Sequence, residues 1–113
     1  MTRRRAWQVA FATTATLSLV VLFAPGSDVP SSIPISDKII HFLLFVSLAA
    51  SGRSAGFAPP RLLVGLVAYA GVSEVLQTML PINRDGDVRD ALADTLGVVA
   101  GLGLATLARR RSA

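Results

Sequence analysis

Residues 88–108 read VRDALADTLGVVAGLGLATLA. The charges Arg89, Asp90 and Asp94 fall in the first two turns of this stretch, and everything after them is apolar to Ala108. A helix that crosses a bilayer needs ~20 mainly apolar residues, so the segment predicts a membrane span with a polar head. At helical spacing, Asp87, Asp90, Asp94, Gly97 and Gly101 share one stripe, acidic above and Gly97-x-x-x-Gly101 below. Glycines four apart let a neighbouring backbone come close. The simplest packing therefore turns the stripe inward, with the glycines against another helix and the acids facing other polar groups.

Working outward, three more stretches match this reading. Leu62 to Leu80 holds a single charge, Glu74. Ile39 to Ala50 is short and reaches span length only when Asp37, Lys38 and Ser51 are counted. Ala6 to Ala24 carries no charge, with Trp7 at its interface. Pro25, Pro34, Pro59, Pro60 and Pro81 punctuate the links. The expected fold is all-α, a four-helix transmembrane bundle forming one domain over 1–113, with spans at about 6–24, 37–51, 62–80 and 88–108. Short links make consecutive helices antiparallel neighbours. Arginines precede the first apolar run as in a secretory leader, but the run is long for one and Pro25 follows the best small-residue site. It reads as a retained span.

Composition points the same way. Of 113 residues, 52% are hydrophobic and only 16% charged, with a mean hydropathy of +0.59. That charge content could not cover the surface of a water-soluble domain of this size. The net charge of +4 does not indicate nucleic acid, because the basic residues sit at the ends of apolar runs, not in a patch among aromatics. Without cysteine, disulfides and thiolate metal sites are excluded. No Gly-rich phosphate loop or nucleophile elbow is present.

The positive-inside rule orients the bundle. With both termini cytoplasmic, the inner ends carry Arg3, Arg4, Arg5, Arg53, Arg61, Arg109, Arg110 and Arg111, against Lys38, Arg84 and Arg89 outside. The acids are distributed the other way: Asp28, Asp37, Asp85, Asp87, Asp90 and Asp94 fall at the outer ends.

Depth counting then gathers a polar layer. At about 1.5 Å per residue from the outer helix ends, His41 lies roughly 6 Å deep, and Glu74 and Asp94 roughly 9 Å. Gln77 and Asp90 are shallower. Asp37 and His41 are i,i+4, and Glu74 and Gln77 i,i+3. A charge at membrane depth costs about 2.5–3.5 kcal/mol on insertion scales, so these groups should be paired with Lys38, Arg84, Arg89 or His41, protonated, or bound to a cation. Bland roles remain open for several of them. Asp37 and Lys38 suit helix capping and an interface anchor, and His41 suits a buried bond to a neighbouring helix. Glu74 suits a structural ion pair. Gly97, Gly101 and Gly103 suit packing, and the arginine triplets suit topology.

The motifs DKIIHF (37–42), SEVLQ (73–77) and PINRDGDVRDALADTLG (81–97) together resemble the VanZ-like family of small membrane proteins. Its pattern is Asp-Lys-x-x-His-Phe, then Glu-x-x-Gln, then Arg…Asp-x-x-x-Asn-x-x-Gly. The resemblance covers about Ile35 to Leu104. Asp37, Lys38, His41, Glu74, Gln77, Arg84, Asp90 and Gly97 match it; Asp94 departs, standing where the pattern has Asn. The resemblance implies a multi-pass protein of the bacterial cytoplasmic membrane, in a family named after a protein linked to reduced teicoplanin susceptibility.

Three functions compete. The first is a binding module whose outward-facing polar pocket (Asp37, Lys38, His41, Glu74, Gln77, Arg84, Asp90, Asp94) holds an anionic amphiphile. A cell-wall lipid precursor or a lipophilic glycopeptide would fit, in an antibiotic-resistance-like role. The second is an intramembrane hydrolase or transferase acting on a lipid head group. Its catalytic candidates are Glu74, His41 and Asp90, with one divalent cation held by His41, Glu74, Asp90 and Asp94. The third is a proton-linked transporter, ranked last because the inner halves of the helices carry no charge to continue a path. Membrane lipids are the expected partners, and a homo-oligomer is compatible with all three.

Overall fold

A computed structural model describes residues 2–23, 37–81 and 88–112. Four helices make up its architecture: α1 (Arg3–Phe23), α2 (Asp37–Ser54), α3 (Pro59–Met79) and α4 (Val88–Ser112). No strand occurs among the described residues. Pro25, Asp28, Pro34, Arg84, Asp85 and Asp87 lie outside them, as do the side chains of Asp37 and Arg111.

The bundle is turned inside out relative to a water-soluble one. Val64, Met79 and Val88 are at least 70% exposed, while Ser18, His41, Ser73, Glu74, Gln77, Asp90 and Asp94 are buried. Apolar side chains outward and polar ones inward is the arrangement that lipid favours. Three helices, α1, α3 and α4, are long and apolar enough to cross a membrane. Helix α2 is the exception: its 18 residues include Asp37, Lys38 and Arg53 near the ends. That length spans about 27 Å, just under the ~30 Å hydrocarbon core.

The closest helix pair is α2 with α4, and the two run parallel and in register. Gly97 lies under Phe42 and Phe45, and Gly101 under Val46 and Ala49. A Cβ built on Gly97 would sit 2.5 Å from the Phe42 carbonyl oxygen, and one on Gly101 2.5 Å from that of Val46. Only glycine permits so close an approach. Gly103, which the sequence grouped with these two, has no atom within 4 Å of such a Cβ. It points away from the packing stripe, into open space among the described residues.

Around this pair, Leu22, Phe45, Leu48, Ala49, Leu62, Leu66, Ala70 and Val98 form the apolar core. Helix α2 stops in a reciprocal pair of backbone bonds, Gly56 N–H to Arg53 O (3.2 Å) and Phe57 N–H to Gly52 O (3.1 Å). The left-handed residue this closure needs is Gly56, at φ 107°. Pro59 and Pro60 then occupy the first turn of α3. There a missing N–H costs nothing, so these prolines begin the helix instead of only separating two spans.

Candidate functional site

Three helices deliver ionisable side chains to one place. His41 comes from the first turns of α2, Glu74 from the last turns of α3, and Asp90 from the first turn of α4. One nitrogen or oxygen from each lies within 4.8 Å of the others, and all three residues are buried. Donor atoms bound to one metal ion at about 2.0–2.2 Å sit roughly 3–4 Å apart, so a small inward movement of side chains would bring them onto a single ion. An imidazole and two carboxylates form a borderline-to-hard donor set, suited to Zn²⁺, Mn²⁺ or a similar divalent cation.

The parallel register of α2 and α4 supplies two further contacts. His41 Nδ1 lies 2.8 Å from Asp94 Oδ1, with the two side chains 1% and 0% exposed. A carboxylate on one ring nitrogen fixes the orientation and tautomer of the imidazole, as acids behind metal-bound histidines do. The second ring nitrogen, Nε2, is then the one a cation would take. One turn nearer the helix starts, Lys38 Nζ is 3.4 Å from Asp90 Oδ1. The Lys38 side chain is 44% exposed and that of Asp90 9%, so Lys38 stands at the edge of the cluster. Three carboxylates, Glu74, Asp90 and Asp94, thus gather around one imidazole and Lys38, and acids held in a low-dielectric interior need compensating charge.

Gln77 serves elsewhere. Its Nε2 donates to the Leu22 carbonyl at 2.6 Å, tying α3 to the last turn of α1, where backbone carbonyls lack helical partners. Its Oε1 is buried with no hydrogen-bond partner among the described residues. Sequence reasoning missed one interhelical contact, Ser18 Oγ to Tyr69 OH at 2.8 Å, joining α1 to α3. Nothing in the spacing of either residue signals it: Ser18 is one of several hydroxyl residues in its span, after Thr13, Thr14 and Thr16, and Tyr69 stands among apolar neighbours.

The His41–Asp94 contact has a measurable consequence. Asp94→Ala removes the acceptor of a buried donor and is expected to cost about 1–3 kcal/mol of stability. Asp94→Asn keeps an oxygen that accepts from Nδ1–H and should cost distinctly less. Thermal unfolding of both variants in detergent reads the difference. Equal losses would mean that the negative charge, not the hydrogen bond, holds the histidine.

Comparison with known proteins adds one finding. A family model described as VanZ/LLP1 matches residues 3–109, nearly the whole chain. No curated protein and no solved structure matches.

Proposed function

The chain belongs to the VanZ/LLP1 family, and from that premise we propose that it binds an anionic amphiphile of the cell envelope through a divalent cation held by His41, Glu74 and Asp90. The observation that carries this reading is the convergence of donor atoms from three separate helices within 4.8 Å at a buried position. Acid-rich surroundings would repel a phosphate or carboxylate head group on their own. A cation between them reverses the sign of the interaction, since the metal is then the largest local charge. Lys38, half in solvent at the cluster's edge, adds a point charge for the same head group. A cell-wall lipid precursor and a lipophilic glycopeptide both present the required chemistry, which suits a role in the envelope's response to antibiotics. On the positive-inside argument this end of the bundle faces outward.

A hydrolase or transferase reading rests on the His41–Asp94 contact. Held by Asp94 through Nδ1, His41 would present Nε2 as a ligand, and a cation held there would polarise a phosphoryl oxygen and acidify a bound water. The binding reading needs fewer assumptions, because it asks only that the cluster hold an ion and a head group.

The test is elemental analysis of protein purified without chelator, followed by titration of Zn²⁺ and Mn²⁺ into metal-stripped protein. We expect about one divalent ion per chain, and retention of a lipid-linked diphosphate only when the ion is present. Absence of a saturable divalent site would remove the proposal. Turnover of the bound lipid in the presence of the ion would favour the enzymatic reading over simple binding.

A further inference from the structure

The end of the bundle opposite the acidic cluster, where α1 begins and α4 ends, holds a cavity of about 580 Å³. It opens between the start of α1, the end of α2 with its following turn, and the last turns of α4. Arg3, Arg4, Arg53 and Arg109 line it together with Trp7 and Gly56, and among the described residues no acidic side chain does. Arginines that only fix topology need to reach water or lipid head groups, each from its own helix end. These four share one concave space, a concentration of positive charge suited to an anion.

Local structure shapes the wall. Arg4 Nε donates to the Ala55 carbonyl at 3.2 Å, which holds α1 against the α2–α3 turn. The guanidinium fits because the adjoining residue is Gly56: a Cβ there would fall 2.7 Å from Arg4 Nη2. Arg53 occupies the last turn of α2, and its Nε is buried with no hydrogen-bond partner among the described residues. A buried guanidinium donor lacking an acceptor is costly, and a bound oxyanion would supply the acceptor. Planar guanidinium groups pair with phosphate oxygens two bonds at a time.

We infer that this cavity is a second ligand site, for a multiply charged phosphate group such as a phosphate monoester or a diphosphate. The volume falls in the range of small-ligand sites, about 300–1,000 Å³, and exceeds what a lone phosphate fills. Trp7, 40% exposed in the cavity wall, marks the level of lipid head groups, where tryptophan side chains concentrate. The site thus takes a phosphate head group from the membrane at this end of the bundle. It is independent of the His41 cluster and stands whether or not that cluster holds a cation.

Native mass spectrometry of the full chain in detergent, titrated with phosphatidic acid or phosphatidylcholine, tests the inference. Phosphatidic acid should be retained at least tenfold more tightly, and Arg53→Gln should lose most of that preference while Arg53→Lys keeps part of it. Arg109→Gln at the exposed rim should weaken retention too, and it decides the matter should Arg53→Gln lower the melting temperature. Resistance of the bound lipid to inorganic pyrophosphate assigns the site to the membrane, whereas displacement by pyrophosphate assigns it to a soluble phosphate. Either result upholds a phosphate site. Equal retention of the two lipids, or unchanged retention in a well-folded Arg109→Gln protein, overturns it.

Discussion

Gly97→Leu is expected to remove most of the folded protein. Its Cβ alone would press to 2.5 Å from the Phe42 carbonyl oxygen and 3.0 Å from Phe45 Cβ. Neither atom is the flexible end of a side chain, so α2 and α4 would have to separate. Overpacking a core typically costs about 1–3 kcal/mol, and a clash with backbone stands at or beyond the upper end of that range. The separation would also pull His41 from Asp94 and Lys38 from Asp90, since both contacts depend on the same parallel register. Gly97→Ala should already be destabilising. Gly103→Ala, with open space around its Cβ, should be neutral or stabilising by up to about 1 kcal/mol through helix propensity. Monodisperse yield and thermal unfolding of the three variants make the comparison. A Gly97→Ala protein as stable as Gly103→Ala would mean that α2 and α4 do not meet as described.

The second large effect is on ion binding. Glu74→Ala and Asp90→Ala should each abolish cation-dependent function while the protein still inserts. Loss of an outer-shell partner already costs a metal site 10–100-fold; loss of a ligand should cost at least about 100-fold. The isosteric Glu74→Gln separates this from a folding defect. It keeps the side chain's shape and removes only its charge, and each protein's melting temperature is read against its own metal-free form. Wild type should gain about 2.7 kcal/mol when the ion is present at 100 times its dissociation constant. Glu74→Gln should gain almost nothing. If the variant's melting temperature rose with added ion as much as wild type's, Glu74 would not be a ligand, and the cluster would be only an internal ion-pair network.

Depth along each helix was legible in the sequence. Counting from the helix ends puts His41, Glu74 and Asp94 at similar depth with Asp90 somewhat shallower, and the donor atoms of His41, Glu74 and Asp90 lie within 4.8 Å of one another. The glycine stripe of the last span could be read for the same reason, since helical spacing alone places Asp90, Asp94, Gly97 and Gly101 on one face. Gly103 shows the limit of that reading. It is as small as its neighbours, but it is two residues from Gly101 and thus on another face, open to the outside. Gln77 shows a second limit: its i,i+3 relation to Glu74 suggested a shared site, yet its amide reaches back to the Leu22 carbonyl of α1.

What the amino-acid order determined by itself was the solvent, the helices and the height of each polar group, because hydropathy, proline placement and a fixed rise per residue are local properties. Partners were decided only by the tertiary structure. Nothing in the chain pairs His41 with Asp94 ahead of Glu74, joins Ser18 to Tyr69, or gathers Arg3, Arg4, Arg53 and Arg109 around one cavity. The physical reason lies in lipid. A helix that is apolar on nearly every side has no strongly preferred buried face, and the hydrophobic effect does not choose its neighbour there. Rotation about each axis is settled instead by close contacts such as Gly97 on Phe42, which exist only once two helices have met.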